Sequence, residues 1–187
     1  MGGWIILGIL VVIALWLVAV YNGLVTLRQR CKQSFADIDV QLKQRQDLVP
    51  NLVETVKGYA AHEKGVFEEV TRARSAAMSA QGPAQQGQAE GMLTAALGKL
   101  FAVTEAYPEL KANQNFLQLQ NQLDDLENKI AAARRFFNNA AQEYNSRRES
   151  VPAAFFAQSL GFGPQEFFDL GPEERTRIST PPQVKFQ

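Results

Sequence analysis

The 187-residue sequence has one cysteine and one histidine, and each scarcity removes a class of protein. A lone thiol rules out an intramolecular disulfide, so the fold must stand on packing alone. One histidine beside one cysteine leaves almost no ligands for a zinc site. No glycine-rich phosphate loop, nucleophile elbow or dinucleotide fingerprint occurs. An excess of one charge is missing too. Lys+Arg 19 against Asp+Glu 19 gives zero net charge, which argues against a protein built to hold nucleic acid. Charged residues make up 20% of the chain and hydrophobic ones 46%, a balance that excludes the disordered class. The length suits one domain. What is left is a small, non-metallic chain whose composition points away from an enzyme.

One stretch carries no charge at all. Trp4 to Tyr21 reads WIILGILVVIALWLVAVY, without a proline. As a helix it would measure roughly 27 Å at ~1.5 Å per residue, close to the ~30 Å hydrocarbon core of a bilayer. Trp4 and Tyr21 at its two ends match interfacial aromatic belts. A cleaved signal peptide is the competing reading, but Met-Gly-Gly ahead of the run has no Lys or Arg, and no small-x-small site follows it. Cys31 lies beyond Arg28 and Arg30, outside a lipoprotein cleavage context, and Ile6 stands where myristoylation needs Ser or Thr. Residues 1–21 are therefore expected to form an uncleaved single-pass anchor. Arg28, Arg30 and Lys32 follow the span, while only the amino terminus is basic before it. The positive-inside rule then expects the remaining domain in the cytoplasm, on the cytoplasmic membrane.

Residues 22–150 read as long helices. Leu24, Cys31, Ile38, Leu52 and Tyr59 fall on one seven-residue series broken by Arg45, and Phe35, Leu42, Val49 and Val56 form the interleaved set. That spacing predicts a heptad seam packed along a neighbour. Arg28 and Arg45 are expected to snorkel their heads outward. Gln81–Ala89 (QGPAQQGQA) is the strong break and reads as a reversing loop. Helix is expected again near Glu90, with Leu93, Ala96, Leu97, Leu100 and Val103 on one face. Beyond Tyr107-Pro108, Phe116, Leu123, Ile130, Phe137 and Tyr144 are seven apart, with Leu119, Leu126, Ala133 and Ala140 between them. A helix from about Glu109 to Glu149 follows. The two arms, 22–79 and 90–149, are nearly equal in length and predict an antiparallel hairpin. If Pro50 and Pro108 kink, the product is an extended bundle, and if they turn, a compact four-helix bundle; the lack of flanking glycine favours kinks. Residues 151–187 hold six of the twelve phenylalanines. They are expected to fold back on the bundle, or else to touch the membrane surface or another subunit.

Candidate chemistry is thin. His62-Glu63 lacks the second histidine a metalloprotease helix needs, since position 66 is Val66. Glu54, Glu63, Glu68 and Glu69 alternate with Lys57, Lys64, Arg72 and Arg74, the pattern of a solvated face. Cys31 reads as a small apolar filler, although Arg28 and Lys32 favour a lowered thiol pKa. Asn113, Asn115, Asn138 and Asn145 read as register-fixing polar residues rather than site residues.

The strings IDVQLKQRQDLVPNLVETVKGYAAHE, AVTEAYPELKANQNFLQLQNQLDDLENKIAAARRFFNNAAQEYN and the closing GFG, FF and PPQVKF resemble the LemA family of bacterial membrane proteins over nearly the whole chain. Phe137 stands where the family pattern has Tyr, and Cys31 where an aliphatic is usual. The resemblance implies an all-α domain of long antiparallel helices behind one N-terminal span. It implies no catalytic residue, no metal and no cofactor. The expectation is a membrane-anchored helical scaffold, homo-oligomeric, partnered by the lipid bilayer through Trp4–Tyr21 and not by nucleic acid. An adaptor presenting 81–89 or the tail to an envelope or membrane-remodelling protein is the alternative, and an enzyme the weakest reading.

Overall fold

A computed structural model describes residues 2–170; the closing Pro-Pro-Gln-Val-Lys-Phe and the rest of 171–187 lie outside the described residues. These form five α-helices and a 3-10 turn, with no strand among them: α1 (Gly2–Lys57), α2 (Lys64–Ser79), α3 (Gly82–Thr104), α4 (Pro108–Lys111), α5 (Gln114–Glu149) and Ala153–Phe155. The all-α expectation holds. Contacts divide the chain into two units, one of residues up to Asp37 with Ala133–Glu166, the other of Ile38–Ala132 with the residues from Phe167.

The second unit is a four-helix arrangement built from the later part of α1, α2, α3 and the earlier part of α5. Val49, Leu52 and Val56 of α1, Val70 and Ala73 of α2, Leu93, Leu97 and Leu100 of α3, and Phe116 and Leu123 of α5 form one buried cluster. Truncating one of its leucines to alanine is worth about 2–5 kcal/mol. Antiparallel neighbours follow from the cross-links: Arg74 with Gln46, Lys99 with Glu69, Arg45 of α1 with Glu127 of α5, and Tyr59, just past α1, with Asn113, just before α5.

Three expectations on connections need correction. The expected single arm 22–79 is broken, because the chain reverses at 58–63, while Pro50 lies inside α1 and does not turn the chain. Proline removes the amide that would bond the Gln46 carbonyl; Arg74 Nε donates to that oxygen instead, at 2.7 Å. The expected loop 81–89 shrinks to Ala80–Gln81, because helix α3 begins at Gly82. Gly82 takes a left-handed φ of 75°, and Pro83 sits in the first turn, where its missing N–H has no helical acceptor anyway. Gln86, from the supposed loop, donates to the Ala77 carbonyl at the end of α2. Pro108 opens the short α4 after a break at 105–107 rather than kinking a long helix.

The first unit pairs the earlier part of α1 with the later part of α5. Phe35 and Phe137 meet at 5.5 Å between ring centroids, and Arg30 bonds Glu143 at 2.9 Å, so these helices too run antiparallel. Leu24, Cys31, Phe137, Ala140, Ala141 and Tyr144 are buried between them.

Candidate functional site

Three features stand apart from ordinary core packing. Foremost is the start of α1, where every large apolar side chain from Trp4 to Val18 is exposed. A core helix of a soluble protein buries such residues, whereas this window is 6% buried and is long and apolar enough to cross a membrane. Val20 alone breaks the run, at 4% exposure, marking where packing begins.

Next is a buried polar network in the second unit. Heptad spacing aims Arg45 into the core, and its side chain does not snorkel as expected but is 1% exposed. Nη1 donates to Glu90 Oε2 at 3.0 Å and Nη2 to Thr94 Oγ1 at 2.7 Å. Nε pairs with Glu127 Oε1 at 2.9 Å. Glu90, fully buried, also accepts from Gln46 Nε2 and Gln86 Nε2 on Oε1. Burial pushes the Glu90 carboxyl above its ordinary range; Arg45 and the two amides oppose that. Both carboxylate oxygens of Glu90 thus accept from the chain's own donors, an arrangement that ties α1 to α3 through buried polar groups.

The last feature is the seat of the C-terminal segment. Tyr144 Oη donates to the Gly163 carbonyl at 2.8 Å. Asn145 takes the Gln165 backbone in both directions, Nδ2 to its carbonyl and its amide to Oδ1, each at 2.9 Å. Arg148 Nε donates to the Phe162 carbonyl. Phe162 is fully buried, with Tyr21 edge-on at 5.3 Å and the Arg28 guanidinium 4.7 Å over its ring. In the second unit, a Cβ on Gly87 or Gly91 would collide with the backbone of Asp169 or Leu170, so these glycines admit the returning chain against α3. Phe168 is buried, while Phe155 and Phe167 are exposed.

The LemA family model matches residues 34–186, the greater part of the chain. This chain belongs to the LemA family. Magnetosome protein MamQ of Magnetospirillum gryphiswaldense is 28% identical over 187 aligned positions, covering 86% of this chain and 69% of MamQ. Magnetosome proteins MamQ 1 and MamQ 2 of Paramagnetospirillum magneticum match to the same extent. Together with the exposed apolar helix, the family makes the chain a membrane-associated helical protein.

The residues singled out in this LemA-family sequence scatter. His62 is exposed in the 58–63 connection, and Glu63 precedes α2. Glu54 pairs with Lys57 and Glu69 with Lys99 at the surface. Cys31 is buried, and desolvation, with Glu143 adding to it, raises its pKa against the pull of Arg30; the expected lowering by Arg28 and Lys32 is not what burial allows. Asn113 caps α5, its Oδ1 accepting from the Phe116 amide while Nδ2 donates to Tyr59 Oη. The sequence pattern singled out Asn145 but not its partner, marked Tyr144 only as a seam residue, and marked Glu90 only as a point where helix resumes. Among the described residues, no three His, Cys, Asp or Glu side chains gather as a metal-binding group.

Proposed function

We propose that the protein is a single-pass, membrane-anchored helical scaffold that carries no catalytic chemistry of its own. One observation carries the reading: the apolar face of Trp4–Val18 is wholly exposed on a helix that continues without a break into packed structure. Residues 1–21 act as the anchor, and the rest stands on the cytoplasmic side of a bacterial cytoplasmic membrane, in keeping with Arg28, Arg30 and Lys32 beyond the span. Self-association belongs to this reading. Most heptad positions are buried within the chain, and the longest run of exposed apolar side chains lies on the span. The magnetosome relatives support a membrane role of the same kind.

Alkaline carbonate washing of membranes tests the anchor. The wild type should stay in the pellet, and Leu10→Arg with Ile13→Arg should release it, since each arginine at the centre of a span costs about 2.5–3.5 kcal/mol. Wild type stripped by carbonate would sink the reading. A strictly monomeric species in mild detergent at every concentration would remove self-association and leave the anchor standing.

A further inference from the structure

We propose that the turn following α5, residues 150–161, is a second contact with the bilayer. Val151, Phe155 and Leu160 would seat in its interfacial layer beside the exit of the span. The inference rests on the anchor reading and adds a surface to it.

The observations all lie in the first unit. Val151 is 72%, Phe155 82% and Leu160 50% exposed, although Ala153 and Ala157 of the same segment, and Phe162 just after it, are buried. The segment is therefore held in place, with Phe156 half-buried, while Val151, Phe155 and Leu160 remain exposed. Large exposed apolar side chains gathered within one short, anchored segment mark a contact surface. Their height along α1 is fixed by register. Phe35 faces Phe137 and Arg30 bonds Glu143, so Glu149, six residues past Glu143, comes level with Leu24, six residues before Arg30. The chain then continues past the end of α5 towards the apolar start of α1. Phe162 returns against Tyr21 and Arg28, and the burial of Val20 shows that packed chain reaches the last turn of the apolar stretch. Tyr21 is the aromatic residue at the interfacial end of the span. A lipid surface is the occupant that this position supplies. Interfacial segments bury their apolar side chains ~5–10 Å into the headgroup and acyl boundary. Continuity with the span gives the contact without any further partner.

The test uses the full chain in lipid vesicles with single-tryptophan reporters. Trp16 alone is kept by Trp4→Phe and reports the span. Phe155→Trp and, as control, Phe136→Trp are each made with Trp4→Phe and Trp16→Phe. Phe136 is exposed on α5, one residue from Phe137 and so near the level of Phe35, about 21 Å along the helix from Tyr21. Expected is blue-shifted emission from Phe155→Trp, quenched by lipids brominated high on the acyl chain and several-fold less open to acrylamide than Phe136→Trp. Equal acrylamide quenching of the two variants would overturn the proposal. Shielding from acrylamide without quenching by brominated lipid would overturn it as well, since a second copy of the chain would then be the cover. Should Trp16 itself escape brominated lipid, the anchor reading fails; quenching of Trp16 but not of Phe155→Trp removes the second contact alone.

Discussion

Arg45 stands on a heptad series whose neighbours, Ile38 and Leu52, are aliphatic and buried. The arginine was legible as an interruption, but the residues that answer it were not. Glu90, Thr94 and Glu127 lie 45 or more positions away, and nothing local marks them as its partners. Asn145 was similarly obscure, because its partner is the backbone of Gln165 rather than a side chain. Arg45→Met strips the charge partner from fully buried Glu90 and should cost about 3–5 kcal/mol in denaturant titrations followed by helical circular dichroism. Adding Glu90→Gln should recover most of that loss, because it removes the uncompensated charge. The pH dependence has a definite sign. Glu90 has a raised pKa in the folded state, so its favourable contribution is fully present below the ordinary value of 4.5. It is lost as pH rises through the folded pKa. Wild type should therefore lose stability relative to Glu90→Gln from about pH 4.5 upward. A flat difference would show that Arg45 and the two amides fully offset the burial.

At the level of elements, periodicity identified the packed faces of the helices and composition misplaced their ends. Leu24, Cys31, Ile38 and Leu52 are buried as the spacing required. The Gly-Pro-rich stretch 81–89 looked like a loop because its glycines and proline are helix breakers in isolation. Here Pro83 occupies a first turn, and Gly87 yields room to another segment. The true reversal at 58–63 offered only Gly58 as a signal. Pro50 shows how tertiary structure overrules a local rule: the Gln46 carbonyl it orphans is taken by Arg74. Arg74→Leu should cost about 1–3 kcal/mol, the penalty for a buried acceptor left unmade. In a Pro50→Ala background the alanine amide can satisfy Gln46, and the cost of Arg74→Leu should shrink by at least half. A double-mutant cycle in denaturant measures the coupling; simple additivity would mean that Arg74 acts elsewhere.

The molecule as a whole was the most legible level, since an uncharged opening run and the LemA-like strings point to a membrane-associated, all-helical protein, as the family and the exposed apolar helix show. Which side of the membrane holds that body is a charge argument resting on Arg28, Arg30 and Lys32. The structure offers a clean way to test it. Cys31 is buried, and burial raises its thiol pKa, so it should react poorly with an impermeant maleimide; Cys31→Ser removes it altogether. Ser79→Cys on that background places a thiol at an exposed helix end. It should label only after the cytoplasmic membrane is opened, with the outer envelope already permeable. Labelling beforehand would put the helical body on the opposite face.

Helix α1 runs from Gly2 to Lys57 without a break, and this gives the span a fixed rotational phase. Each residue turns an α-helix by about 100°, so the side of the span opposite the buried Val20 and Leu24 is determined by the same register that sets the Leu24–Cys31 seam. The faces of Leu10 and Trp16 are thereby clocked to the packed seam that follows them on the same helix. A single residue inserted between Tyr21 and Leu24 would leave composition, length and hydrophobicity almost untouched, yet would swing every exposed apolar side chain of the opening stretch by more than a quarter of a turn about the packed seam.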